Sequence, residues 1–150
     1  MSSQTPALVG ADLRLADELA RVLAATAPLE GCALLLGQQI DSMLLLQAIW
    51  PCCNVWPQVG ERHRRFAIDP REQLLAQRWA RRHQGAVLGF AHSHPDAAPV
   101  PSATDRELCF APALMLIQGV EQAGAAPSLV CWWMAEEGEE PLRLPWRMGG

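Results

Sequence analysis

A run of apolar residues that ends in two histidines constrains this chain more than any other stretch: Ala86-Val87-Leu88-Gly89-Phe90-Ala91-His92-Ser93-His94-Pro95. Residues 86 to 91 read as a buried strand. Along a strand, residues i and i+2 share a face. His92 and His94 therefore project side by side, and two imidazoles can reach one metal ion. Pro95 has no N–H to donate and stops the ladder. A Pro- and Ala-rich loop follows, ending at Ser102 and leading to Asp105 in the first turn of an expected helix. A carboxylate arriving there can be a third ligand. Two histidines, one carboxylate and a water are the ligand set of a catalytic zinc, which keeps one position open. A lone histidine at a strand end is ordinarily structural. Two at same-face spacing, with Ser and Asp at short range, point to metal.

The 150 residues, half of them hydrophobic and 19% charged, suffice for one domain with its own core. No internal repeat or boundary divides it, and residues 1–10 and 147–150 read as loose ends. A net charge of -4 gives no reason to expect nucleic acid. All twelve basic residues are Arg, so the chain offers no lysine side chain to an isopeptide bond. No charged leader with a long apolar region opens it, and no run of about 18 apolar residues could span a bilayer. The cysteines, Cys32, Cys52, Cys53, Cys109 and Cys131, are odd in number. Free, buried thiols in a reducing cytoplasm are expected.

Several elements are legible. Leu13-Arg14-Leu15 reads as a short edge strand and residues 16–27 as a helix, with Leu19, Val22 and Leu23 on one face. Residues 32–37 read as a central buried strand that pairs as a hairpin with residues 43–49 across a turn at 38–42. Glu30 sits at the mouth of that strand; taken alone, it reads as a solvated loop carboxylate. Residues 64–68 read as a strand. Asp69-Pro70 is a strong helix start, an N-cap acid followed by Pro at the first helical position. That helix runs to about His83, with Leu74, Leu75, Trp79 and Ala76 or Ala80 expected on its buried face. Its arginines, with those at 62, 64 and 65, read as a solvated face or a basic docking surface. Strands follow at 113–117, 129–134 and 142–146. Mixed helices and hairpins imply an α/β (α+β) domain around one curved, mostly antiparallel mixed β-sheet.

From His92 to Asp105 the pattern is H-x-H, seven residues, then S-x-x-D, with Glu30 upstream of a strand. This resembles the JAMM (MPN-plus) metalloprotease family in its short prokaryotic JAB-domain branch. The metal motif, His92-Ser93-His94-Pro95 and Pro101 through Asp105, is specific; the flanking pieces Pro28 through Gly37, Asn54 and Arg65-Phe66-Ala67-Ile68-Asp69-Pro70 are weaker, and together they cover most of the domain. The resemblance implies one Zn2+ held by His92, His94 and Asp105. It implies Glu30 as general base and Ser102 as hydrogen-bond partner of the water or of the tetrahedral oxyanion. Such a zinc acidifies its water to a pKa of about 7 and polarises a carbonyl. A carboxylate near the metal can shuttle the proton.

The same resemblance implies an isopeptidase, a zinc metallopeptidase that cuts an amide or isopeptide bond after the Gly-Gly tail of a ubiquitin-like protein or a small sulfur carrier. Two other classes are weighed against it. One is a non-cleaving module that binds Gly-Gly tails or a partner subunit. The other is a zinc amidohydrolase acting on an unrelated substrate such as a peptidoglycan peptide, since fold alone does not transfer substrate. The terminal Gly149-Gly150 reads as a plain chain end.

Overall fold

Among the described residues, each of the three α-helices begins at a side chain that caps it. In the computed structural model, which describes residues 4–136 and 138–149, Asp12 caps α1 (Leu13–Ala24), its carboxylate accepting from the Arg14 N–H at 2.7 Å. Asp69 caps α2 (Pro70–Arg82), with Pro70 at the first helical position. Ser102 caps α3 (Ala103–Leu108). Residues 1–3, Glu137 and Gly150 lie outside the described residues. The start of the expected loose segment and the second glycine of the terminal pair fall there.

Among the described residues, eight strands form one sheet: β1 (Leu8–Asp12), β2 (Cys32–Ile40), β3 (Met43–Cys52), β4 (Ala86–Ser93), β5 (Ala113–Gly119), β6 (Ser128–Met134), β7 (Leu142–Leu144) and β8 (Trp146–Gly149), in the order β7-β6-β5-β4-β2-β3-β1-β8. Four neighbouring pairs are antiparallel (β2·β3, β2·β4, β5·β6, β6·β7) and three are parallel (β1·β3, β1·β8, β4·β5), so the sheet is mixed as expected. β2 is the central strand. Its alternation sends Ala33 and Leu35 into the core that packs Leu19 and Leu23 of α1, and Leu34 and Leu36 onto Ala76 and Ala80 of α2. The same period places Ala91 on the α1 side and Phe90 on the α2 side.

The structure corrects several sequence expectations. Leu13–Leu15 is the first turn of α1, not a strand, because Asp12 caps there. The strand lies earlier, at Leu8–Asp12, so residues 8–10 are not loose; Val9 is fully buried. The hairpin turn shrinks to Asp41 and Ser42, with Asp41 at φ 54. Residues 64–68 form no strand, because β1 already occupies the free side of β3 and the segment finds its hydrogen bonds elsewhere. On α2, Leu74 (47% exposed), Leu75 (48%) and Trp79 (39%) face out. Small Ala76 and Ala80, one turn apart, let the helix lie close to the sheet and take the burial instead. The segment 142–149 makes two strands rather than one. Pro145 divides it, β7 completes one edge beside β6, and β8 completes the other beside β1. Residues 147–149 are therefore paired in the sheet. All five cysteines are free as expected, but Cys53 is exposed, and Cys52 and Cys109 are half-buried.

Candidate metal centre

Strand β4 carries His92 into the interior, where it is fully buried, and His94 follows at 8% exposure. Asp105 comes from the first turn of α3 and is equally buried. Three atoms converge. His92 Nε2 lies 3.1 Å from His94 Nε2 and 3.0 Å from Asp105 Oδ2, and His94 Nε2 lies 3.1 Å from that same oxygen. Among the described residues, these three side chains form a group able to hold one metal ion.

The donor set fits zinc. His94 Nδ1 donates to the Ala98 carbonyl at 2.8 Å, so in the neutral ring the Nε2 lone pair faces the cluster. Two ring nitrogens and a carboxylate oxygen pressed together need a proton or a cation between them. Ligand atoms on a tetrahedral zinc stand roughly 3.3 Å apart, given metal–nitrogen bonds of about 2.0–2.1 Å. The observed separations are close to that. Without a cation the charge is carried internally. Burial alone would raise Asp105, but hydrogen bonds from both histidines and the Ser102 N–H hold its carboxyl well below the usual range. Burial would lower His94, but Asp105, the Ala98 carbonyl and Glu30 raise it. Burial wins at His92 and lowers it.

Glu30 precedes β2, and β2 pairs with β4 so that Cys32 lies opposite His92. Ser93, between the two histidines, locks this mouth. Its Oγ accepts from the Gly31 N–H at 2.8 Å, and its N–H donates to the Gly31 carbonyl at 3.1 Å. Gly31 has no room for a side chain, since a Cβ would meet the Leu23 carbonyl oxygen at 2.5 Å. Glu30 is 3% exposed, and its Oε1 has no hydrogen-bond partner among the described residues. Burial pushes its carboxyl up to about 8; the His94 charge opposes this and the Asp105 charge adds to it. The carboxylate is thus within electrostatic reach of the histidine–aspartate group and makes no structural bond through Oε1.

Ser102 is exposed at the rim, and its Oγ accepts from the Asp105 N–H at 3.0 Å. An open groove of about 450 Å³ runs from Asp105 between α2 and α3, lined by Phe66, Phe90, Leu108, Phe110 and Gln73 among others. The structure thus brings His92, His94 and Asp105 together, sets Glu30 within electrostatic reach of them and keeps Ser102 one capping turn away. Sequence reasoning assigned no role to Ser93, to the Ala98 carbonyl, or to Asn54 and Phe66. The available signals were a small hydroxyl residue placed between two histidines and the presence of Asn54 and Phe66 among the pieces of the resemblance.

The fold recurs in solved structures. A protein from Desulfitobacterium hafniense, solved in solution, superposes with a TM-score of 0.80 at 24% identity, covering 95% of this chain and 93% of that one. A Salinibacter ruber protein superposes with a TM-score of 0.65 at 30% identity over 89% and 87% of the two chains. A desampylase from Haloferax volcanii is 35% identical over 80 residues, which are 53% of this chain and 54% of the relative. The match to that relative spans about half its length. Residues 12–135 match the family described as prokaryotic homologs of the JAB domain, a span that includes Glu30, both histidines, Ser102 and Asp105, and the chain belongs to that family.

Proposed function

We propose that this protein is a zinc-dependent hydrolase that cuts an amide or isopeptide bond after the Gly-Gly tail of a ubiquitin-like or sulfur-carrier protein. The observation that carries the reading is the convergence of His92 Nε2, His94 Nε2 and Asp105 Oδ2 near the buried Glu30 carboxylate, whose Oε1 no donor among the described residues occupies. The desampylase relative supports a modifier protein as substrate. When bound by His92, His94 and Asp105, zinc supplies Lewis acidity, which acidifies a water and polarises a carbonyl.

This chain's residues supply the rest. Glu30 Oε1 accepts a proton from the attacking water and returns it to the departing nitrogen. Ser102 Oγ already accepts from Asp105, so its own proton is free to turn toward a developing oxyanion. The groove beside Asp105 takes an extended tail, and glycines there let the backbone approach closely. No helix of the described residues is long and apolar enough to cross a membrane, and the free thiols suit a reducing cytoplasm.

The test is the intact mass of a Gly-Gly sulfur-carrier protein bearing a short C-terminal extension. It is incubated with zinc-loaded protein or with its Glu30→Gln variant. Loss of the extension with wild type alone supports the reading. An untouched substrate that still binds would favour a tail-recognition module, and one that neither binds nor is cut would favour a different amide.

A further inference from the structure

Asn54, in the connection between β3 and α2, commits both ends of its amide to backbone. Nδ2 donates to the carbonyls of Arg65 at 2.9 Å, Glu30 at 3.1 Å and, at 3.4 Å, Arg62. Oδ1 accepts from the N–H groups of Trp56 at 3.1 Å and Ala67 at 3.2 Å. The Glu30 N–H in turn donates to the Arg62 carbonyl at 2.8 Å. This loop therefore holds Glu30 by both of its backbone groups. The same amide grips the chain on either side of Phe66.

Phe66 stacks on His92, with ring centroids 4.4 Å apart and 21° between planes. His92 needs such a neighbour. A metal-ligating histidine ordinarily donates its second ring N–H to a partner that fixes the ring. His94 has that partner in Ala98; His92 Nδ1 is buried and has none among the described residues. Apart from the Asp105 contact at Nε2, the orientation of the His92 ring rests on packing against Phe66 and, with centroids 6.3 Å away, Phe90.

We propose that Asn54 is a positioning residue that sets both halves of the site at once. Through the Glu30 carbonyl it places the base, and through Arg65 and Ala67 it presses Phe66 onto His92 in place of the missing hydrogen bond. The inference rests on the reading of His92 as a ligand and Glu30 as the base. Asn54 and Phe66 act through those two residues and not on the reacting atoms.

The experiment compares wild type with Asn54→Ala, Phe66→Leu, Phe66→Tyr and the Asn54→Ala/Phe66→Leu double variant. On metal-free protein, amide exchange at Glu30 and Ala67 and the ring-proton resonances of His92 are read by NMR. Asn54→Ala should expose both amides and move the His92 resonances, while β5 and β6 keep their protection. Zinc affinity, by competition with a chromogenic chelator, should fall roughly 10- to 100-fold in Asn54→Ala and Phe66→Leu. Phe66→Tyr keeps the ring and should stay close to wild type. The double variant should be no weaker than the weaker single, since both changes act through one imidazole. With the extended sulfur carrier as substrate, kcat should fall while KM holds.

Wild-type amide protection and unmoved His92 resonances in Asn54→Ala would overturn the clamp whatever zinc does. Lost protection with unchanged zinc affinity would overturn its action on His92. Should Asn54→Ala fail to fold, equal zinc affinity in Phe66→Leu and Phe66→Tyr would overturn the stacking role. A wild type that takes no zinc overturns the metal reading instead, and the clamp then stands or falls on the metal-free amides and resonances.

Discussion

Ser102 and Asp105 hold each other. The Ser102 N–H donates to Asp105 Oδ2 at 2.9 Å while the Asp105 N–H donates to Ser102 Oγ at 3.0 Å. This is a capping box that closes the start of α3. The oxygen it uses is the one that faces both histidines. A single carboxylate oxygen therefore serves helix and site together, and the cap sets the side chain's direction before any ion arrives.

That sharing makes two substitutions at Ser102 informative. Ser102→Ala loses both cap and hydroxyl and should cost about 0.5–2 kcal/mol of stability. Ser102→Gly loses the hydroxyl but costs a cap only a few tenths of a kcal/mol. If the hydroxyl donates to the oxyanion, both variants should lose roughly 100- to 1000-fold in kcat with zinc still bound. Full activity in Ser102→Gly would leave Ser102 as a cap alone. Turnover and thermal melts are the measurements.

His92→Ala and Asp105→Ala remove ligands rather than supports. Their zinc affinity should fall by more than the roughly 100-fold that loss of an outer partner can cost. Metal content after dialysis reads this directly, and Glu30→Gln, which should keep its zinc, is the control. Stoichiometric zinc in either alanine variant would refute the ligand assignment.

Glu30 makes the metal-free protein sensitive to pH. Burial raises its carboxyl from 4.5 to about 8 in the folded state. Between those values the native state holds a proton that the unfolded state has released, so stability falls as pH rises and levels off above about 8. A tenfold difference in proton affinity between the two states is worth about 1.4 kcal/mol. In chelator, Glu30→Gln should therefore gain on wild type by an order of a few kcal/mol between pH 5 and pH 8.5. Denaturant melts of the pair test this. His94 and Asp105, the charges that act on Glu30, are common to both proteins and largely drop out of the difference. A constant gap would mean that Glu30 ionises freely in the fold.

Gly89 lets β4 lie against β5. A Cβ there would meet the Leu114 carbonyl oxygen at 1.8 Å, and that atom belongs to backbone that cannot swing away. Gly89→Ala should fold poorly or lose several kcal/mol, in the exceptional range for a point change. At Gly60 nothing lies within 4 Å, so Gly60→Ala should stay within about 0.5 kcal/mol of wild type. Comparable melts for the two would contradict the packing described between β4 and β5.

Where the sequence reading strayed, a distant neighbour had decided the matter. Arg64 through Ile68 has the composition of a strand, yet β1 had already taken the free side of β3, and Asn54 had taken the segment's Arg65 carbonyl and Ala67 N–H. Leu74, Leu75 and Trp79 are the largest apolar side chains on α2, yet two alanines face the sheet because the approach is close.

What the amino-acid order determined by itself is short in range. The strand period of two puts His92 and His94 on one face. The three-residue reach of a capping box puts Asp105 at the start of α3, and Asp69-Pro70 starts α2 wherever that helix finally packs. These depend on bonds between residues two to four apart. Tertiary structure alone decided that Glu30 comes within electrostatic reach of His94 and Asp105, through pairing of β2 with β4 and the lock between Gly31 and Ser93, 62 residues apart. It alone brought Asn54 to Glu30 and Phe66 to His92, and sent β7 and β8 to opposite edges of one sheet. Such pairings are chosen by the burial and hydrogen bonding of the whole sheet. No local stretch of the chain carries that sum.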